Sequence, residues 1–363
     1  MTRRRALLGA VAAALAAPLA APRLARAQPT ARTTVFATGL EHPWGAALLP
    51  DGRMLVTERP GRLRLIARDG TLSPPLAGVP ELVAEGQGGL LDVALAADFA
   101  RSGEIFLSQA ARAGGGVLTR LLRARLGDRG LTEVTPILDA TPAQAQGRNH
   151  YGGRIVVAGD GSVFLSTGER YVTKLRAQRL DDLGGKILHL TRDGAPAPGN
   201  PFLGREGVRP EIWSYGHRNP QGLALNPATG TLFEAEFGAR GGDEVNIIRP
   251  GRNYGWPIVT HGIDYDGSRI GEGSSRPDME EPQRFWAPSV SPSGIAFHDG
   301  ALFLACLNTP GLLRLGMEGD RITGETRLLW GQTRLRDVIQ GADGRLYILT
   351  DETQGKILRL EQG

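Results

Sequence analysis

The chain has 363 residues, 51 of them glycine and 24 proline, which leaves little room for the long uninterrupted helices of a bundle or coiled coil. Its single cysteine, Cys306, excludes an internal disulfide, and its place in the apolar run 301–307 points to a buried, inert thiol. The formal charge is +4, but Arg3, Arg4, Arg5, Arg23 and Arg26 precede residue 28 with no acid among them; taking those five away leaves about −1, no footing for nucleic acid or an anionic membrane.

In chain order the first element is an address. Residues 1–27 read as a cleaved signal peptide, with an uncleaved anchor as the alternative: three arginines, an apolar run over 6–21, and a small-x-small pattern at Ala25-Arg26-Ala27. The apolar run is short for a membrane span, and no later stretch approaches the ~18 apolar residues a span needs. The expected destination is the periplasm, with residues 28–363 forming one domain.

A cassette then recurs, a turn with Asp/Asn and glycine followed by a short alternating apolar strand. It reads PDGRMLVTE at 50–58, RSGEIFLSQ at 101–109, GDGSVFLST at 159–167, ATGTLFEAE at 228–236, HDGALFLAC at 298–306 and ADGRLYILT at 342–350. The turn glycines supply the positive φ that tight hairpins need, and the period of two marks half-buried strands. Six such repeats predict an all-β, six-bladed β-propeller of four-stranded antiparallel blades, with a pair of β-sandwiches or an irregular solenoid as the alternative. The glycines lie farthest apart between 161 and 300, so long insertions there are expected to build a site over the channel.

Between the cassettes lie loops rich in polar groups that a core has no use for. EGQGGLLDVAL (85–95) carries Gln87, GRNHYGGRIVV (147–157) carries His150, and WSYGHRNPQGLALNP (213–227) carries His217, Arg218, Asn219 and Gln221. EFGARGGDEVNIIRPGRNYGWP (236–257) is followed by Asp264 and Tyr265, WAPSVSPSG (286–294) opens on Trp286, and TRLRDV (333–338) sets Arg334 and Arg336 on one strand face. Taken singly, each has an ordinary structural reading: a satisfied histidine, a stapled turn, a solvated acidic pair, a core tryptophan.

Taken together, GHRNPQGLA (216–224), DEVN (243–246) and GRNYGWP (251–257) resemble the soluble glucose/sorbosone dehydrogenase family, in particular its aldose sugar dehydrogenase branch, from about Leu40 to about Leu360. The resemblance implies a six-bladed propeller that oxidises aldoses at C1 to the lactone, using pyrroloquinoline quinone (PQQ) and calcium, with electrons passed to an external acceptor. It implies His150 as general base, Glu169 as the carboxylate that orients it, and Arg218 facing the quinone. Gln87, Asn219, Tyr265, Asn308, Arg334 and Arg336 would hold the cofactor, while Trp286 and Gln87 would contact the sugar. Main-chain carbonyls of Gly238 and Ala239 would hold the cofactor calcium. Glu244, the Tyr254 carbonyl and Asp264 would hold a second, structural one. The chain departs from the pattern at Asn149 and Glu169, where relatives have Asp, at Ala239, where they often have Pro, and at Asn308, where they carry Lys or Arg.

Two other functions remain open at this point: a calcium-dependent lactonase on the same propeller, and a non-catalytic binding propeller, since the fold hosts many functions. The carboxylate-binding pair Arg334 and Arg336 speaks against the first, and His150 with Arg218 against the second. No GxGxxG opens a helix after a strand, so NAD and flavin are not expected. The partners expected are an aldose and an electron acceptor, for a monomer or homodimer.

Overall fold

Each cassette glycine turns a hairpin. Gly52, Gly103, Gly161, Gly230, Gly300 and Gly344 all have φ between 65° and 85°, and each joins the first strand of a blade to its second. The computed structural model describes residues 31–361, so the proposed signal peptide lies outside the described residues.

The chain opens on β1 (Arg32–Leu40). Blade one follows with β2 (Pro43–Leu48), β3 (Met54–Glu58) and β4 (Arg62–Ile66), and blade two with β5 (Leu90–Leu95), β6 (Glu104–Ala113), β7 (Gly116–Gly127) and β8 (Gly130–Asp139). Blade three has β9 (Gly152–Val157), β10 (Val163–Thr167), β11 (Lys186–Leu190) and β12 (Ile212–Tyr215); blade four has β13 (Pro220–Leu225), β14 (Leu232–Glu236), β15 (Asp243–Ile247) and β16 (Arg284–Trp286). Blade five is β17 (Pro292–His298), β18 (Ala301–Cys306), β19 (Gly311–Glu318) and β20 (Arg321–Leu328), and blade six is β21 (Leu335–Gln340), β22 (Leu346–Thr350) and β23 (Gly355–Glu361). The last blade takes its outer strand from the start of the chain: β1 pairs antiparallel with β23, from Arg32 against Glu361 to Leu40 against Gly355. That pairing closes the ring and removes an open edge.

Five sheets have four strands and blade one has three. The place of its fourth strand is taken by residues 71–76, which bond to β4 through Ser73 N–H to the Leu65 carbonyl and Leu76 N–H to the Leu63 carbonyl, both at 2.8 Å. Pro74 and Pro75 lie between those contacts and have no N–H to give a ladder.

The seams between blades are apolar, such as Phe233, Val245, Leu302, Leu304 and Leu313 between blades four and five. Cys306 lies in that seam, wholly buried, its thiol pKa pushed up by burial. The inner strands line the channel, which an ionic triad fills. Arg154 Nη1 lies 3.1 Å from Asp92 Oδ1 and 3.0 Å from Asp337 Oδ2, all three groups buried. Gly45 and Gly294 make room for it, since a Cβ there would fall 2.2 Å from Asp92 Oδ1 and 1.7 Å from Asp337 Oδ1. No helix among the described residues is long and apolar enough to cross a membrane.

Candidate active site

The inner strands all begin at one end of the channel, and the residues just before them converge there. Gln87 precedes β5, His150 precedes β9, Arg218 and Asn219 precede β13, and Arg334 precedes β21. The second strands end at the same mouth, delivering Glu236, Asn308 and Asp351 at or just beyond their last residues.

His150 is buried, with φ at 53°, a left-handed conformation rare for a residue with a Cβ. Its N–H donates to Gln87 Oε1 at 2.8 Å, and its Nδ1 lies 2.6 Å from Glu169 Oε1. The carboxylate accepts a hydrogen bond from Nδ1–H there, which leaves Nε2 as the basic nitrogen. The long side chain of Glu169 thus reaches the imidazole directly. Burial and the facing Arg218 guanidinium, only partly opposed by Glu169, push the His150 pKa down to about 4.

Arg218 is 3 % exposed, and its head is fixed on three sides. Nη1 donates to the Phe237 carbonyl at 3.1 Å and the Gly238 carbonyl at 2.5 Å, Nη2 donates to the Tyr265 hydroxyl at 3.1 Å, and the head lies 5.1 Å from the Trp256 ring centroid. Its Nε is buried without a partner, as is Nδ2 of Asn219, whose Oδ1 accepts from Gly152 N–H at 3.1 Å. Across the mouth, Arg334 Nη2 and Arg336 Nη2 share Asp351 Oδ2 at 2.9 and 3.1 Å. Arg336 is buried rather than a solvated strand residue, and its Nε has no partner. Arg59 is close enough to bear electrostatically on Arg336 and Asp351, so three cations face one carboxylate. The arginines hold Asp351 below the usual carboxylate range despite its burial. Asn308 is exposed on this rim, its Nδ2 3.4 Å from the Ser289 carbonyl, next to Leu307, whose carbonyl accepts from Arg334.

Beside Arg218 lies a buried acidic cluster. The register pairs Glu236 with Glu244 and Glu234 with Asn246, so the two-residue period puts all four on one sheet face. Burial first, and then Glu236, raise the pKa of both Glu234 and Glu244 well above the ordinary value. Glu236, Glu244, Gly238 and Tyr254 line one small cavity with Arg218. Ligand atoms of His217, Glu234 and Glu236 lie within 4.8 Å of one another, and Glu234 Oε1 and His217 Nδ1 are buried without hydrogen-bond partners.

Two expectations are corrected. Asp264 does not join Glu244 and Tyr254: its carboxylate is held by Lys174 in a partly exposed pair, and Glu236 takes its place in the cavity. Trp286 does not wall the site. It lies on β16, the outermost strand of blade four, packed in the seam with blade five, and its indole N–H is satisfied by Glu325 Oε2 at 3.0 Å. The tryptophan at the site is Trp256. Sequence reasoning also passed over Arg59, Glu236, Asp351 and Tyr171, though Glu236 ends a cassette and Tyr171 follows Glu169 by two residues.

A family model described as Glucose / Sorbosone dehydrogenase matches residues 40–359. Aldose sugar dehydrogenase YliI of Escherichia coli is 42% identical over 349 residues, spanning 92% of this chain and 94% of that protein. A solved glucose dehydrogenase superposes with a TM-score of 0.89 at 45% identity over 92% of this chain and 100% of its own. The PQQ-bound form of an aldose sugar dehydrogenase from Streptomyces coelicolor does so with a TM-score of 0.79 at 34% identity, over 92% of this chain and 99% of its own.

Proposed function

We propose that this chain, which belongs to the glucose/sorbosone dehydrogenase family, oxidises aldoses at C1 to lactones with PQQ and calcium. As a sugar dehydrogenase it has an aldose for its substrate. The observation that carries the finer reading is the union at one channel mouth of the buried His150–Glu169 couple with Arg218, Arg334 and Arg336.

PQQ is a planar tricarboxylate, and the donor set suits it. Arg59, Arg334 and Arg336 outnumber Asp351, and planar guanidinium forks match carboxylates. The partnerless Arg218 Nε, Arg336 Nε and Asn219 Nδ2 are buried donors with capacity to spare. Bound there, PQQ would supply the two-electron acceptor for the C1 hydride. Gly238 and Ala239 carbonyls would hold one calcium beside it. Gly238 already accepts from Arg218, but a carbonyl oxygen has two lone pairs, so both cations are accommodated. Glu244, Glu236 and Tyr254 would hold a second calcium, since buried carboxylates without a paired cation are a hard-oxygen site.

The residues then divide the work. Nε2 of His150 takes the proton of the anomeric hydroxyl, and Glu169 holds the ring in the required tautomer and steadies the positive charge it acquires. Arg218, kept in place by the Phe237 and Gly238 carbonyls, presents positive charge towards the electron-accepting end of the site. Gln87 fixes the His150 backbone through its N–H. Residues 1–27 would direct the protein to the periplasm, where it would pass electrons to an external acceptor.

Metal-stripped protein titrated with PQQ, with and without calcium, tests this reading. Saturable PQQ binding and aldose-dependent dye reduction that both need calcium are expected; dye reduction of full rate without PQQ would refute it.

A further inference from the structure

The loop after β10 carries a feature that the proposed chemistry does not use. Arg170 and Tyr171 have φ of 68° and 71°, two successive left-handed residues, neither a glycine. For a bulky aromatic this conformation is costly and persists only where its surroundings impose it. Here they do. Arg170 N–H donates to the His150 carbonyl at 3.2 Å, and its guanidinium donates to the Asn149 and Val117 carbonyls at 3.1 and 2.8 Å while lying 3.6 Å from the Tyr151 ring centroid. Glu169 N–H donates to the Arg218 carbonyl at 2.9 Å. The segment is therefore strapped to both His150 and Arg218, and the turn it makes delivers one side chain, Tyr171.

That side chain is not buried for packing. Tyr171 is 39 % exposed, yet its ring stands edge-on to the His150 imidazole, centroids 5.2 Å apart at 86°. Tyr265 faces it at 6.4 Å, 54 % exposed, with its hydroxyl held by Arg218. The two rings flank the mouth, one beside the proposed base and one beside the arginine proposed to face the cofactor. The axial C–H faces of a pyranose are apolar and stack on such rings, and the ring nearest His150 is the one nearest C1.

We propose that Tyr171 is a substrate-positioning residue of the sugar site, an aromatic wall on which the pyranose stacks while its anomeric hydroxyl meets His150. This rests on the sugar dehydrogenase reading above. Tyr265, bonded to Arg218, serves the cofactor side of the same mouth.

Tyr171→Gly separates this role from a structural one, because glycine adopts the left-handed conformation without strain. With protein loaded with PQQ and calcium, the KM for glucose should rise about five- to tenfold, the equivalent of one lost aromatic contact. The melting temperature should not fall, the Kd for PQQ measured by fluorescence titration should be unchanged, and Tyr171→Phe should keep the wild-type KM. An unchanged KM in Tyr171→Gly, or a PQQ Kd that weakens in step with it, would overturn the role of Tyr171 alone. Wild-type protein that turns over no aldose when so loaded would overturn the parent reading and this one with it.

Discussion

His150 sits in a left-handed backbone conformation with Nδ1 tied to Glu169, so replacing it removes a base whose position nothing else supplies. His150→Ala is expected to lower kcat by about 10²–10⁴ while PQQ binding stays near wild type. A variant keeping a third or more of wild-type kcat would make His150 a structural residue. The pH profile gives an independent reading. With burial and Arg218 holding its pKa at about 4, His150 is neutral and able to accept a proton throughout the neutral range. The acid limb of kcat/KM should therefore fall near pH 4 rather than near the ordinary ~6.5 of imidazole. The same depression makes the folded state the poorer proton binder between those two values. Its contribution to stability is complete above the unfolded pKa and is lost as pH falls through about 4. Residues at this scale were legible where a polar side chain lies within three residues of the start of an inner strand, as Gln87, His150, Arg218, Asn219 and Arg334 do. Tyr171 was not, because an exposed tyrosine in a loop has no pattern until the backbone turns it onto His150.

The β14–β15 hairpin concentrates Glu234, Glu236 and Glu244 on one buried face, against Asn246 and His217. Left without a cation, such a face repels itself, and a divalent ion bound only by the folded state stabilises it by mass action. Calcium at about one hundred times its Kd should raise the melting temperature of the wild type by roughly 3–6 °C. Glu244→Gln should lose most of that increment and, relieved of one repelled charge, melt no lower than wild type in the absence of calcium. Equal responses to calcium in both proteins would remove the second metal from the account. The cassette ATGTLFEAE announced β14 and the turn that leads into it, but not the pairing of β14 with β15 that gathers the acids. The long insertion between β15 and β16 has no periodicity, so the residue order alone does not show that Asp264 pairs with Lys174 rather than joining Glu244, and the short strand β16 carries no sign that Trp286 packs between blades.

Six hairpins arranged about a channel were readable from six turn glycines, because the period of the repeat is a property of the chain alone. Ring closure was not: the pairing of β1 with β23 joins Arg32 to Glu361, and no local pattern signals a contact between the two ends of a domain. Nor was the Asp92–Arg154–Asp337 triad, whose members come from three different blades and meet only when the ring is closed. The triad fills the bore, and the site is built from strand ends of all six blades, the first adding Arg59 just past β3. No single blade contains the chemistry, so the closed ring is what makes a dehydrogenase of these loops. Its central claim, that an aldose gives up its C1 hydrogen to a bound quinone at this mouth, is tested most directly in a single turnover. Protein loaded with PQQ and calcium is mixed anaerobically with glucose, and with glucose deuterated at C1, while the cofactor absorbance is followed and the sugar product identified. The account predicts loss of the oxidised cofactor spectrum in one exponential, slower with the deuterated sugar, and the lactone as product. An unchanged cofactor spectrum on addition of aldose, or a bleaching rate insensitive to deuterium with no lactone formed, would contradict it.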